Sequence, residues 1–240
     1  MKAILFSDLH LGIRDNSEIW LEASMRLVYS IIKEAKRRGI KNIIFAGDFF
    51  HDRKHINSKT LHYGRKFIEE LKDFNVYLIP GNHDIFFKNS NEVMSVDVFK
   101  EYKHVTVLWG NYKLDNITMI PWGQELPREA EVVIGHFEIN GFVDGMPENK
   151  TFLNKSDFKE YKKVFSGHWH TPKTIGNITY LGSPMQFTFA DVDSKRGFYI
   201  LDGSETEFIE FNDYPKYIIL DAREELNPKL IEGNIVKVGI

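Results

Sequence analysis

Hydrophobic positions along this chain follow two different rhythms. In the first half, short apolar runs at 2–6 (Lys-Ala-Ile-Leu-Phe), 42–46 (Asn-Ile-Ile-Phe-Ala) and 76–79 (Val-Tyr-Leu-Ile) are each followed at once by polar residues, often with glycine among them. Runs at 131–134 and 163–166 behave alike, as strands buried on both faces do. Between the first two runs, Ile19, Leu21, Leu27, Val28, Ile31, Ile32 and Ala35 recur at helical spacing. They predict a helix over Ser17 to Arg38, with Asp15 and Glu18 as a capping pair ahead of it. A second helix is expected over Ser58 to Asp73, with Leu61, Phe67, Ile68 and Leu71 inward. Strand, helix, strand, helix, strand is the βαβ order, which implies parallel strands and a layered α/β domain.

Further on, runs at 117–120, 178–181, 197–201 and 207–211 alternate and are separated by turn residues such as Asp202-Gly203, predicting hairpins and a mixed sheet. Residues 140–158, with two glycines and Pro147, read as a loop over one face. From Pro215 a further unit begins: strand-like Tyr217 to Leu220, a polar stretch, then an apolar run from Ile235 to Ile240. The expected fold class is therefore α/β, with central mixed sheets flanked by helices. A main domain is expected over 1–212 and the start of a small, truncated unit over 213–240.

Composition narrows the class. At 240 residues, 42% hydrophobic and 27% charged, the chain can bury one substantial core and is an ordinary globular protein. A formal net charge of −3 excludes a uniformly basic coat, so contact with nucleic acid would need a local patch. With no cysteine, disulfides and thiolate ligands are ruled out, and any metal must be held by His, Asp, Glu or Asn. The apolar start of "MKAILFSDLH" is too short for a signal-peptide core, and no run approaches the roughly 18 residues of a membrane span. A cytoplasmic protein without a membrane partner is expected.

Five strand-like runs end in residues able to bind metal: "SDLH" (Asp8, His10), "GDFFH" (Asp48, His51), "GNHD" (Asn82, His83, Asp84), "GHFE" (His136) and "GHWH" (His168, His170). Sites in α/β sheets form beyond the carboxyl ends of strands, so these loops should converge. Extended spacing puts Asp8 with His10, and His168 with His170, on one side of the chain. A single Asp-x-His, or a single Gly-Asn-His-Asp, is more often a turn than a ligand pair. Five at five strand ends argue for a shared site. Oxygen and imidazole donors without sulfur suit Mn²⁺, Fe or Zn²⁺ better than Ca²⁺. His55, His62 and His104 lack this context and read as solvated surface.

These motifs, in this order over residues 8 to 170, resemble the calcineurin-like metallophosphoesterase family. The resemblance implies a layered metallophosphoesterase fold and two divalent cations, with Mn²⁺ the expected ion. One cation would take Asp8, His10, Asp48 and His170, the other Asp48, Asn82, His136 and His168, with Asp48 bridging. Paired cations about 3.5–4 Å apart clamp a phosphate and generate hydroxide at neutral pH. His83, oriented by Asp84, would contact the phosphate and act as general acid.

The flanking stretches "FSDLHLG", "GDFFHDRK", "IPGNHD", "GHWHTP" and "YLGSPMQFTFAD" resemble the SbcD nucleases of bacteria and phages. That resemblance implies a DNA exonuclease and single-strand endonuclease, with His51 beside the phosphate path. It also implies a capping unit beginning near residue 213, a coiled-coil ATPase partner of the SbcC type in a longer form, and pairing of two copies through Ser58 to Asp73 or Ile85 to Phe99. Arg14 and Arg53, close to the motifs, are candidate phosphate contacts, whereas the basic cluster Lys33 to Lys41 reads first as a solvated helix end. Two other functions stay open: a phosphatase or phosphodiesterase acting on small phosphoesters or phosphoproteins, and a non-catalytic scaffold. Retention of every expected ligand counts against the scaffold.

Overall fold

Alternation along the parallel strands sorts their side chains onto two faces, and both are apolar because both are covered. The computed structural model describes residues 1–87, 90–143, 145–223 and 227–239. In chain order its strands are β1 (Lys2–Phe6), β2 (Asn42–Ala46), β3 (Asn75–Ile79), β4 (Ile85–Phe87), β5 (Ser90–Met94), β6 (Val105–Val107), β7 (Tyr112–Leu114) and β8 (Ile117–Ile120). They continue as β9 (Val132–His136), β10 (Lys163–Gly167), β11 (Lys173–Ile175), β12 (Ile178–Tyr180), β13 (Gly197–Asp202), β14 (Glu205–Glu210), β15 (Tyr217–Asp221) and β16 (Ile235–Gly239). The helices Glu18–Arg38 and Ser58–Glu70 follow β1 and β2.

Two six-stranded sheets form, in the orders β14-β13-β1-β2-β3-β6 and β11-β12-β10-β9-β8-β7. In the first, β1, β2, β3 and β6 run parallel and β13 joins β1 antiparallel. In the second, β8, β9, β10 and β12 run parallel, with β7 and β11 antiparallel at the edges. Ala3, Leu5, Ile44, Ala46, Tyr77 and Ile79 of the first sheet meet Ile117, Met119, Val132, Ile134 and Phe165 of the second. Their neighbours Ile4, Phe6, Ile43, Phe45, Val76 and Leu78 point the other way, into a core shared with Leu21, Leu27, Ile31, Phe67 and Ile68 of the helices. The outer face of the second sheet carries Val133, Val164 and Tyr180, covered by Phe137, Phe142 and Phe158. The result is four layers, helices, sheet, sheet and irregular cover, so the expected α/β class with mixed sheets is what the chain forms. A one-residue slip in any inner strand would exchange the two cores.

Several local expectations are corrected. The capping pair Asp15–Glu18 does not form: Arg14, Asp15 and Asn16 all take left-handed φ of 56–57°, and Ser17 caps the helix without a side-chain bond. Trp20 is buried in place of Ile19, which is 57% exposed. The second helix ends at Glu70 rather than Asp73, and is capped by Asn57, whose Oδ1 accepts from Lys59 N at 2.8 Å. Among the described residues of segment 85–99 there is no α-helix. It forms the hairpin β4–β5 and a 3-10 turn, Ser95–Phe99, closed by Ser95 N donating to Asp84 O at 2.7 Å. Ser90, Asn91 and β-branched Val93 also disfavour a helix there. His104 is half-buried rather than solvated, its Nε2 2.9 Å from the Ile68 carbonyl at a helix end.

The tail pairs β15 parallel to β16 across a short helix, Pro228–Ile231. Tyr217 docks it: its ring stacks on Trp20 at 6.1 Å, and its amide donates to Gln186 Oε1 at 2.9 Å. Ile240, the last residue of the expected closing run, lies outside the described residues. Among the described residues no helix is long and apolar enough to cross a membrane.

Candidate metal centre

The motif loops leave the carboxyl ends of β1, β2, β3, β9 and β10, and they bond to one another rather than to solvent. Four of the candidate ligands, Asp8, His10, Asp48 and His168, have left-handed φ of 53°, 45°, 62° and 94°. Such a backbone costs an L-residue roughly 1–2 kcal/mol, and persists where the surroundings over-determine it. Here each strained residue's amide is taken by another loop. Asp8 N donates to Gly47 O at 2.9 Å, and His10 N to Asp48 O at 3.0 Å. Asp48 N donates to Asp84 Oδ2 at 2.8 Å, and His168 N to Asp8 Oδ1 at 3.0 Å.

Asp84 is the hub of this scaffold. Its fully buried carboxylate accepts from the amides of Asp48, Phe49, Phe50 and Gly81, at 2.8–3.3 Å, tying the "GDFF" loop to the "GNHD" loop. The expectation that Asp84 orients the His83 ring is thereby corrected. The carboxylate is occupied by backbone, and His83 is held instead by Nδ1 against the His51 carbonyl, 2.6 Å away, with its amide donating to Asp48 Oδ1 at 2.8 Å.

Two sets of donors come together. Asp8, His10 and His170 form one, and Asp48, His136 and His168 the other; within each, donor atoms lie within 4.8 Å of one another. The Oδ2 atom of Asp48 lies 3.6 Å from His10 Nε2 and 3.2 Å from His136 Nε2, so a single carboxylate oxygen faces both sets. Asn82 joins the second set, with Oδ1 3.0 Å from both His136 Nε2 and His168 Nδ1. His10 and His170 approach at Nε2 to 2.9 Å. All seven candidate ligands thus meet in one place. A third convergence, His10 with His51 and His83, faces the opening, a cleft also lined by Asp52, Arg53 and Asn82.

The electrostatics suit cations. Burial, reinforced by His170, His83 and His51, holds His10 well below its usual pKa against the pull of Asp48. Burial works to raise Asp48, but His136, His10 and His83 outweigh it and hold the carboxyl far below the ordinary carboxylate range. Burial would lower His136, yet Asp48 and Asp8 push it up to about 9. The buried negative charge that favours a proton on His136 is also favourable to a cation. Asp84, by contrast, is pushed up to about 6 by burial and by neighbouring Asp48, against the pull of its amide donors. The donors present, nitrogen and oxygen without sulfur, fit the cations expected from sequence.

Of the candidate phosphate contacts, Arg53 lines the cleft, whereas Arg14 is drawn aside. Its Nη2 donates to the Phe187 carbonyl at 2.6 Å and its guanidinium lies 5.5 Å over the Tyr217 ring. Three residues near the centre escape a sequence reading. Glu138 places Oε1 3.3 Å from His168 Nε2, and its only signal is the last letter of "GHFE". Trp122 packs against His136 and His168 at 5.9 and 5.5 Å. Arg196, next to Lys195 and so surface-like in sequence, is fully buried. It pairs with Asp191 at 2.6 Å and donates to Ser183 Oγ at 2.8 Å and to the His170 carbonyl, bracing the "GHWH" loop.

The chain is similar to known proteins over most of its length. It is 33% identical over 229 residues to exonuclease subunit 1 of Enterobacteria phage T4, an alignment covering 88% of this chain and 67% of the phage protein. It is 23% identical over 281 residues to a subunit of the nuclease SbcCD of Staphylococcus saprophyticus, covering 98% of this chain and 72% of that one. Among solved structures it is similar to YfcE, a phosphoesterase from E. coli, with a TM-score of 0.45 at 18% identity, covering 89% of this chain and 94% of that one. Residues 1–172, which carry every motif loop, match the family described as calcineurin-like phosphoesterase. The chain belongs to the calcineurin-like phosphoesterase family and is a metal-dependent hydrolase.

Proposed function

We propose that the chain is a two-cation nuclease that hydrolyses phosphodiester bonds in DNA. The observation that carries this reading is Asp48 Oδ2, placed 3.6 and 3.2 Å from histidines of two different donor sets. One cation would then be held by Asp8, His10, Asp48 and His170 and the other by Asp48, Asn82, His136 and His168, with Mn²⁺ as the ion. When bound, the pair would supply a clamp for the phosphate and activation of water for attack. His83 stands outside both sets, its ring 4.8 Å from that of His10, and donates a proton to the leaving oxygen. His51, stacked on His83 at 5.8 Å, and Arg53 guide the phosphate, and His51 favours removal of nucleotides from ends.

Two relatives named as nucleases, one of them at 33% identity, support DNA over small phosphoesters as substrate. The name of the second, a subunit of SbcCD, supports assembly of a longer form with a partner subunit, which in this reading is a coiled-coil ATPase. Residues 1–212 form the catalytic domain in this reading, residues 213–240 begin a capping unit, the enzyme works in the cytoplasm, and two copies pair. The test is purified chain in Mn²⁺ buffer with single- and double-stranded oligonucleotides, beside a small phosphodiester and a phosphomonoester. Cleavage of DNA that stops on chelation is expected. Hydrolysis of the small esters with all DNA left intact, even when the ATPase partner is supplied, overturns the reading.

A further inference from the structure

His136 and His168 sit on one cluster but are backed differently. Each ring has two nitrogens, and when one faces a cation the other must carry its proton toward an acceptor. For His136 the far nitrogen is Nδ1, 2.9 Å from the Ala46 carbonyl, which leaves Nε2 turned to Asn82 and Asp48. For His168 the geometry is reversed. Its Nδ1 faces Asn82 Oδ1 at 3.0 Å, while Nε2 faces the Glu138 carboxylate at 3.3 Å. Glu138 is outside the donor sets and meets the ring nitrogen other than the one turned to Asn82. It is about one-third exposed, so its charge is only partly screened. Trp169, with its centroid 4.5 Å from that of His168 in an edge arrangement, and Trp122, tilted at 5.5 Å, pack against the ring but offer its nitrogens no acceptor.

We propose that Glu138 is a positioning residue that accepts a hydrogen bond from the Nε2–H of His168 and so holds the ring with Nδ1 presented to the cation shared with Asp48, Asn82 and His136. The proposal rests on the two-cation reading above and adds to it a carboxylate behind one ligand. An anionic acceptor does two things a carbonyl does less well. It fixes the ring by a charge-assisted bond, and it makes the imidazole more basic toward the metal. Left-handed His168, whose amide donates to Asp8, gains a further restraint from this bond.

The experiment compares wild type with Glu138→Ala and Glu138→Gln in the full chain. Calorimetric titration with Mn²⁺ is expected to show two sites in wild type. In Glu138→Ala one of them should weaken by about 10–100-fold, the range for loss of an outer partner, while the other stays within about twofold. Glu138→Gln, whose amide carbonyl still accepts but bears no charge, should lose less than Glu138→Ala. In parallel, ¹⁵N-histidine-labelled, metal-free protein is examined by NMR for a slowly exchanging His168 Nε2–H. That proton should be present in wild type, retained in Glu138→Gln and lost in Glu138→Ala. Unchanged Mn²⁺ affinities in Glu138→Ala, or an unchanged Nε2–H signal, overturn the proposal. If Glu138→Ala does not fold, Glu138→Gln decides, since a charge that matters must still lower the affinity of one site. A wild type that binds one ion or none refutes the two-cation reading instead, and the metal-free NMR comparison then still decides the hydrogen bond.

Discussion

Asp48 serves two donor sets with a single oxygen, and its polar neighbours keep that carboxylate ionised, against the effect of burial, and in place. Its amide is held by Asp84, its Oδ1 accepts from His83 N, and three histidines hold its pKa down. In the two-cation reading, Asp48→Ala would leave the cations with nothing between them to offset their mutual repulsion. Metal analysis of that variant should find one Mn²⁺ or none per chain, with no hydrolysis; two retained ions would contradict the bridging role. His83 is different, because it meets a carbonyl, a carboxylate and other rings, outside the two sets. His83→Ala should therefore retain both ions while losing about 10²–10⁴-fold in rate, the usual range for a general acid. Loss of metal along with activity would make His83 a ligand or a prop.

At the scale of elements, the centre depends on loops that come closer than side chains allow. A Cβ on Gly81 would lie 2.3 Å from Asp48 Oδ1 and 2.5 Å from Asp48 N, and one on Gly47, at φ +94°, would enter the His136 ring at 2.2 Å. Gly81→Ala must therefore force the "GNHD" and "GDFF" loops apart, and with them the amides gathered on Asp84. A stability loss of about 1–3 kcal/mol in urea titration is expected, together with weaker Mn²⁺ binding. The end of the first helix is built on a different principle. Glu34 accepts from Arg37 at 2.7 Å and Arg38 at 3.0 Å, and Arg38 also pairs with Glu207 of β14. These bonds favour the structural reading of the Lys33 to Lys41 cluster for its two arginines. Arg37, against the effect of burial and with help from Arg38, holds the Glu34 carboxyl below its ordinary value. A carboxyl lowered in the folded state adds stability above its unfolded pKa of about 4.3, and that stability is lost as pH falls through the lowered folded value. Glu34→Gln should cost no more than about 1 kcal/mol at neutral pH, and the difference from wild type should vanish in acid melts.

For the molecule as a whole, the cation centre is a set of buried charges at the rim of two apolar cores. Metal binding should add stability without creating the fold. At 100 times its dissociation constant, one bound ion stabilises by about 2.7 kcal/mol, and for a domain of this size that is a rise of roughly 5–10 °C in melting temperature. Thermal scans with Mn²⁺ and with chelator measure it, and an apo protein that does not melt cooperatively would show that the fold needs the ions. Formal net charge is −3, so in the nuclease reading attraction to DNA would have to come from local groups such as Arg53 and from bound cations. Added salt should slow cleavage of oligonucleotides steeply and leave a small phosphodiester nearly unaffected, because only the polymer releases counterions.

What the linear pattern determined is the part of the protein governed by neighbours in sequence. Apolar runs and helical stripes located the inner strands and both long helices to within a few residues, because burial on two faces or on one stripe leaves a period that can be read directly. The convergence of the candidate ligands was legible for the same reason: each lies at or just beyond a strand end, and parallel strands in stacked sheets bring those ends together. What only tertiary structure decided depends on partners far apart in the chain. Asp84 lies beside His83 in sequence yet serves the amides of a loop some 35 residues earlier. Arg14 lies by the metal motifs yet reaches Phe187 and Tyr217. Arg196 looks like surface and is buried, because Asp191 and the His170 carbonyl satisfy its charge. Segment 85–99 turned back as a hairpin once Ser95 found the Asp84 carbonyl, and Glu138 acquired its place behind His168 through two strands that pair side by side, β9 and β10. A side chain's period along the chain tells which way it faces; the atom it meets is set by the packing of elements that the sequence keeps apart.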